Sequence, residues 1–189
     1  MPQYKYHRER LPSQSEVEKM INETPSLMLK ALLVFWYIFG SRVKEALPYP
    51  EKGWSGLKPK NFKVQNGTLV VDIPLLKKRD KGPIMPRHIL RVRTEGTPFI
   101  QILLEYVESK SEDQVLWPRS RVWAWQKIKR LNENFSPYLF RHNRLKRLAN
   151  LGATGPELME WAGWADLRPS GNYLTGTGEA VKKFADKIE

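Results

Sequence analysis

At 189 residues with 41% apolar content, the chain is long enough to bury one core and too short for two comfortable ones. Its 32 Lys and Arg against 20 Asp and Glu leave a net charge of +12, so its partner is expected to be polyanionic, either nucleic acid or an anionic membrane surface. The absence of cysteine excludes disulfides, thiol nucleophiles and thiolate metal sites; the histidines His7, His88 and His142 and the scattered carboxylates form no metal-ligand pattern.

Residues 1–11 read as a basic arm or linker, charged and without the apolar core of a signal peptide, and residues 12–189 as one folded domain. Ser13 with Glu16 three residues on is a capping box and starts a first helix. Thr24-Pro25 starts a second, whose run Ala31 to Phe39 is apolar nearly all round. That run is far short of the ~20 residues needed to cross a bilayer, so it predicts a buried core helix and disfavours a membrane partner. Gly40 stops it and sets Arg42 at the start of the next short helix. Tyr49 to Gly56 predicts an irregular loop, and Asn66-Gly67 between two β-prone runs a two-residue hairpin. A third strand is expected near Ile84-Met85, across a turn from Lys77 to Gly82 that carries Lys77, Lys78, Arg79 and Lys81 against Asp80. On charge alone that turn reads as a solvated basic hairpin tip, and Lys77, Arg79 and Lys81 are expected to contact DNA.

Thr97-Pro98 opens another helix, with Ile100, Leu103, Leu104 and Val107 as its core-facing stripe. Residues 119–147 then hold nine Lys and Arg against the single acid Glu133, interleaved with Trp123 and Trp125. Such density predicts a phosphate-facing surface, to which Arg119, Arg121, Lys127, Arg144 and Lys146 are assigned. Ser136-Pro137 starts a helix carrying Arg141, and Gly152 is placed to end it. Thr154 and Pro156 announce a short helix ending near Gly163, followed by a Pro/Ser/Gly/Asn stretch read as a flexible loop that delivers Tyr173. A last helix over about 177–188 has Val181, Phe184 and Ile188 on one side. The fold class is therefore mainly α with a small three-stranded antiparallel sheet, α+β.

The spacing of these residues resembles the tyrosine recombinase, or phage integrase, family. Its second signature box reads H-x-x-R-H, then a glycine, then G-[HW], then a tyrosine. Here Tyr138 to His142 fill the first part, with Gly152, Gly163-Trp164 and Tyr173 following at 152 − 141 = 11, 164 − 141 = 23 and 173 − 141 = 32 residues from Arg141. Tyr138 stands where the family has its first histidine. The first box, T-G-x-R-x-x-E-L, is matched by Gly40-Ser41-Arg42-Val43-Lys44-Glu45-Ala46-Leu47 preceded by Phe39. The family's hairpin lysine lies eight residues before a proline, and Pro86 selects Lys78 (86 − 8 = 78), with Lys77 as the neighbouring register.

The resemblance implies the fold of the family's catalytic domain and an activity on double-stranded DNA, cleavage and rejoining through a 3′-phosphotyrosine. In that scheme Arg42 and Arg141 hold the phosphate, Glu45 is the structural partner of Arg42, and Tyr173 is the nucleophile. Lys78 protonates the departing 5′ oxygen, and Trp164 donates a hydrogen bond or simply packs. Tyr138 donates through its hydroxyl but is a poor base, and His142, adjacent but turned about 100° away on a helix, is expected to be buried and structural. No cofactor or metal is required. The family's N-terminal core-binding domain is expected to be absent, the C-terminal helix to dock on a neighbouring protomer, and the location to be the cytoplasm, at the nucleoid or in a host cell if viral. Two other readings share parts of this pattern: a topoisomerase IB-like enzyme that nicks and reseals, and a DNA-binding module without activity.

Overall fold

The computed structural model describes residues 11–76 and 87–174. Within them the first helix, α1 (Gln14–Glu23), begins at the expected capping box: the Ser13 hydroxyl accepts from the Glu16 N–H, and the Glu16 carboxylate accepts from the Ser13 N–H at 2.7 Å. The second helix, α2 (Leu27–Phe39), starts later than Thr24-Pro25 suggested. Ser26 is its cap, while the buried Thr24 hydroxyl donates to the Met20 carbonyl at 2.7 Å and so closes α1 instead.

All residues of α2 from Ala31 to Phe39 are buried, which is why its apolar pattern has no polar side. Phe35 meets Phe39, Phe62 and Trp117 with ring centroids 5.1, 5.9 and 5.4 Å apart, and Trp117 stacks on Tyr106. This aromatic core is locked by hydrogen bonds from Trp117 Nε1 to the Met28 carbonyl and from the Tyr106 hydroxyl to the Leu116 carbonyl. Gly40 ends α2 in the left-handed region at φ +61°, and the short α3 (Val43–Ala46) follows with Arg42 at its N-cap. Between Tyr49 and Trp54 the expected irregular loop contains a 3-10 turn, Pro50–Lys52.

The three strands β1 (Phe62–Gln65), β2 (Thr68–Pro74) and β3 (Arg87–Arg93) form an antiparallel sheet in sequence order. Asn66 at φ 48° and Gly67 at φ 69° make the tight turn, in the double positive-φ geometry that suits strand twist. Leu69, Val71 and Ile73 of β2 are buried on alternate positions, and β3 answers with Leu90. The strand expected near Ile84-Met85 thus runs from Arg87, with Pro74 paired to Arg87; residues 84 and 85 lie outside the described residues. The reason is period-two alternation: His88, Leu90 and Val92 face in while Ile89, Arg91 and Arg93 face out.

Helix α4 (Ile100–Glu108) buries Ile100, Leu103 and Val107 as its stripe predicted. Helix α5 (Arg121–Leu131), capped by Ser120, buries Ala124 and Ile128. Helix α6 (Pro137–Asn150) is the helix that Ser136-Pro137 announced. Helix α7 (Gly155–Ala162) lies between the Thr154 cap and Gly163. The residues fall into two compact units that divide between Arg144 and Leu145, within α6. The arm over 1–10 and the helix expected over about 177–188 lie outside the described residues. Among the described residues no helix is long and apolar enough to cross a membrane.

Candidate active site

In the first unit two arginines are anchored at one corner. The Glu45 carboxylate accepts from the Arg42 N–H at 2.6 Å and from Arg42 Nη1 at 2.6 Å, so a single acid caps α3 and fixes the guanidinium beside it. Glu45 is 1% exposed, whereas the Arg42 side chain keeps 21% of its surface open, which leaves part of its fork available. Arg141, 7% exposed, donates from Nη1 to the Gly40 carbonyl at 2.9 Å. That carbonyl lies two residues ahead of Arg42, so the hydrogen bond joins positions 101 apart in the chain.

The close approach needs Gly40. A Cβ there would stand 2.9 Å from the Arg144 Cβ and 3.6 Å from the Arg141 Cα, and the backbone φ of +61° is one that side chains disfavour. Gly40 therefore ends α2, lets α6 pack against the bend and presents the acceptor for Arg141. Arg144, expected to face phosphate, lies against Gly40 through the base of its side chain.

On the first turns of α6, Tyr138 is 50% exposed and its ring meets the His142 ring edge-on with centroids 4.1 Å apart, the contact that four-residue spacing on a helix allows. His142 is half-buried. Burial first, and the Arg141 charge second, pull its imidazole below the usual pKa.

In the second unit Tyr173 is gathered into a different cluster. It is 7% exposed, packs with Leu145, Leu158 and Ala162, and stacks on Trp164 at 5.7 Å with the rings 25° apart. The flexible loop expected before it is instead a 3-10 turn, Arg168–Asn172, in which Tyr173 N–H donates to the Ser170 carbonyl at 2.9 Å. Pro169 in the turn and the burial of Ser170 account for the order: a fixed φ and a satisfied hydroxyl hold the chain that composition alone reads as loop. Trp164 contributes packing here. Lys146, assigned to DNA from sequence, donates from Nζ to the Tyr173 carbonyl at 3.3 Å. Sequence patterns carried no signal for this bond, because the acceptor is main chain.

The remaining cations lie on and before α5. Arg119 and Arg121 are exposed, Arg119 sits over the Trp123 ring and Lys129 over Trp125, both at 5.7 Å, and Lys127 is partly exposed on the same helix. Val122 and Trp125, 56% and 50% exposed, stand among these charges. Lys77, Lys78, Arg79 and Lys81 lie between β2 and β3, outside the described residues. Among the described residues no group of three or more His, Asp or Glu side chains is arranged to hold a metal ion.

Among the described residues, seven α-helices with a three-stranded antiparallel sheet in this order make the fold of a tyrosine recombinase catalytic domain. The solved structures it resembles include the XerH site-specific recombinase bound to difH substrate in a pre-cleavage complex, with a TM-score of 0.69 and 18% identity over 95% of this chain and 55% of that one. XerA recombinase matches with a TM-score of 0.61 and 15% identity over 93% of this chain and 64% of that one. The Tn1549 transposon integrase in complex with transposon right end DNA matches with a TM-score of 0.62 and 14% identity, over 95% and 66%. The chain thus spans between 55% and 66% of the length of these proteins. No family model matches the sequence, and no curated protein does either.

Proposed function

We propose that the chain is the catalytic part of a site-specific DNA recombinase or integrase, of the kind that mobile elements and viruses use, which cuts and rejoins double-stranded DNA through a 3′-phosphotyrosine. The Tyr173 phenol gives up its proton to solvent and attacks phosphorus, the bond to the 5′ oxygen breaks, and Lys78, or Lys77 in the adjacent register, supplies a proton to that oxygen and regains one from solvent. The reverse attack by a 5′ hydroxyl reseals the strand and frees the tyrosine, so the bond energy is conserved. Arg42 and Arg141 stabilise charge on the non-bridging oxygens, a role suited to guanidinium because it is planar, bidentate and always charged. Tyr138 adds a hydroxyl donor, and Trp164 holds the ring of Tyr173. Arg119, Arg121, Lys127 and Arg144 take the flanking phosphates, together with Arg79 and Lys81. Copies of the chain associate on DNA through residues 177–188, and the work is done where the DNA is, in the cytoplasm.

The observation that carries this reading is the arginine corner. Arg141 is tied to the Gly40 carbonyl, and Arg42, two residues after Gly40, is tied to Glu45, so cations far apart in sequence are each anchored at the end of α2 and the start of α3. The Gly40 carbonyl thus holds Arg141 Nη1 at the bend that leads into Arg42.

The test uses a pool of nicked duplexes with randomised sequence across the nick, incubated with the chain in EDTA and then denatured. A covalent protein–DNA adduct is expected, and Tyr173→Phe is expected to abolish it while DNA binding persists. Binding without any adduct in the unaltered chain would leave a DNA-binding module and end the enzyme reading.

A further inference from the structure

The turn that ends at Tyr173 is fastened at several points. The Tyr173 and Leu174 N–H groups both donate to the Ser170 carbonyl, at 2.9 and 3.1 Å. Ser170, 5% exposed, donates its hydroxyl to the Leu167 carbonyl at 2.6 Å and so closes the start of the turn. Beneath it Gly155, in the first turn of α7, leaves just enough room: a Cβ there would stand 3.2 Å from Ser170 Oγ.

These contacts fix the turn from its own side and from α7. The carbonyl of Tyr173, at the C-terminal end of the turn, is taken by Lys146 Nζ at 3.3 Å. A cation suits that place, since the last carbonyls of a helical turn lack intrahelical donors and carry partial negative charge. Lys146 lies on α6, the helix that also bears Arg141.

We propose that Lys146 is a positioning residue for Tyr173, acting on strand cleavage through its hydrogen bond to the tyrosine main chain rather than through a DNA phosphate. The inference rests on Tyr173 being the nucleophile. In-line attack demands that the phenol oxygen reach phosphorus within a narrow range of distance and angle, and a shift of ~1 Å costs ~10²-fold in rate. Lysine reaches the carbonyl from the partly buried flank of α6 and holds the main chain while leaving the ring to Trp164. The chemistry at phosphorus is unchanged; what Lys146 alters is the fraction of time the tyrosine is in place.

Two measurements on the intact chain decide this, with Lys146→Met removing the donor and Lys146→Arg keeping one. Hydrogen exchange without DNA should show faster exchange at the Tyr173 and Leu174 amides in Lys146→Met, near-normal exchange there in Lys146→Arg, and unchanged protection in α1 to α4. On the nicked duplex pool, adduct formation per bound complex should fall ~10²-fold in Lys146→Met and largely recover in Lys146→Arg, with the salt dependence of binding unchanged. Unchanged exchange, together with a salt slope shallower by about 0.9, would overturn the proposal and make Lys146 a phosphate contact. Persistence of the adduct in Tyr173→Phe would instead defeat the nucleophile assignment, and the exchange data would still decide whether the tether exists.

Discussion

Glu45 does two jobs with one carboxylate, and both are visible in its hydrogen bonds. Its oxygens accept the N–H that begins α3 and the guanidinium of Arg42, each at 2.6 Å, from a side chain that is only 2% exposed. Removing it strands a largely covered cation and uncaps the helix together. Glu45→Ala is expected to cost about 3 kcal/mol in denaturant-monitored unfolding, the lower end of the range for breaking a buried pair from one side. Glu45→Gln, which keeps an acceptor for the N–H, should cost less. At this scale the pairing of Glu45 with Arg42 was legible through the family resemblance, which makes Glu45 the structural partner of that arginine. The bond from Arg141 to Gly40 was not, since its acceptor is a carbonyl 101 positions away. Nor was the bond from Lys146 to Tyr173, for the same reason.

Among the elements, α6 shows how a helix carries different work on different turns. Its first turns hold Tyr138, exposed, against His142, half-buried, and set Arg141 between them in sequence. The neutral imidazole suits that setting, because burial and the Arg141 charge both oppose its protonation. The unfolded chain therefore takes up a proton near pH 6.5 that the folded chain accepts only at lower pH. Stability from this group is complete above about pH 6.5 and is lost as pH falls from there through the depressed folded pKa. Denaturation midpoints should drop between pH 7.5 and 5.5, and His142→Gln should flatten that drop; a parallel dependence in both proteins would remove His142 as the cause.

Helix positions were readable where caps are local: Ser13, Thr154 and Gly163 bound the helices they announce, whereas the helix behind Ser120 was hidden in a run read only for its charge. The start of α2 moved to Ser26 because Thr24 was already engaged by α1. The segment before Tyr173 was read as loop from its composition, and what orders it is tertiary: Gly155 beneath Ser170, and Lys146 at the far end.

For the molecule as a whole, the proposed function divides the work: net charge would set how it meets DNA, and the anchored side chains what happens there. A surplus of 12 positive charges predicts affinity that falls steeply with salt, by counterion release. Replacing one cation proposed to contact phosphate, Arg121→Ala or Lys127→Ala, should weaken binding to all duplex sequences alike and make the slope of log affinity against log salt shallower by about 0.9. Net charge and a run of nine cations are the sequence features on which a polyanionic partner is proposed. The catalytic reading came from the family resemblance in motif spacing; the fold that the resemblance implied is the one found in solved structures at 14–18% identity. The central claim is that Arg42 and Arg141 neutralise the same scissile phosphate. The most direct measurement compares adduct formation on a nicked duplex bearing an ordinary phosphodiester with one bearing a neutral methylphosphonate at the cleavage position. Arg42→Ala and Arg141→Ala are each expected to lose ~10²–10³-fold on the phosphodiester and much less on the methylphosphonate, where there is less charge to stabilise. Equal losses on both linkages would contradict the claim and place the two guanidinium groups elsewhere in the work of the protein.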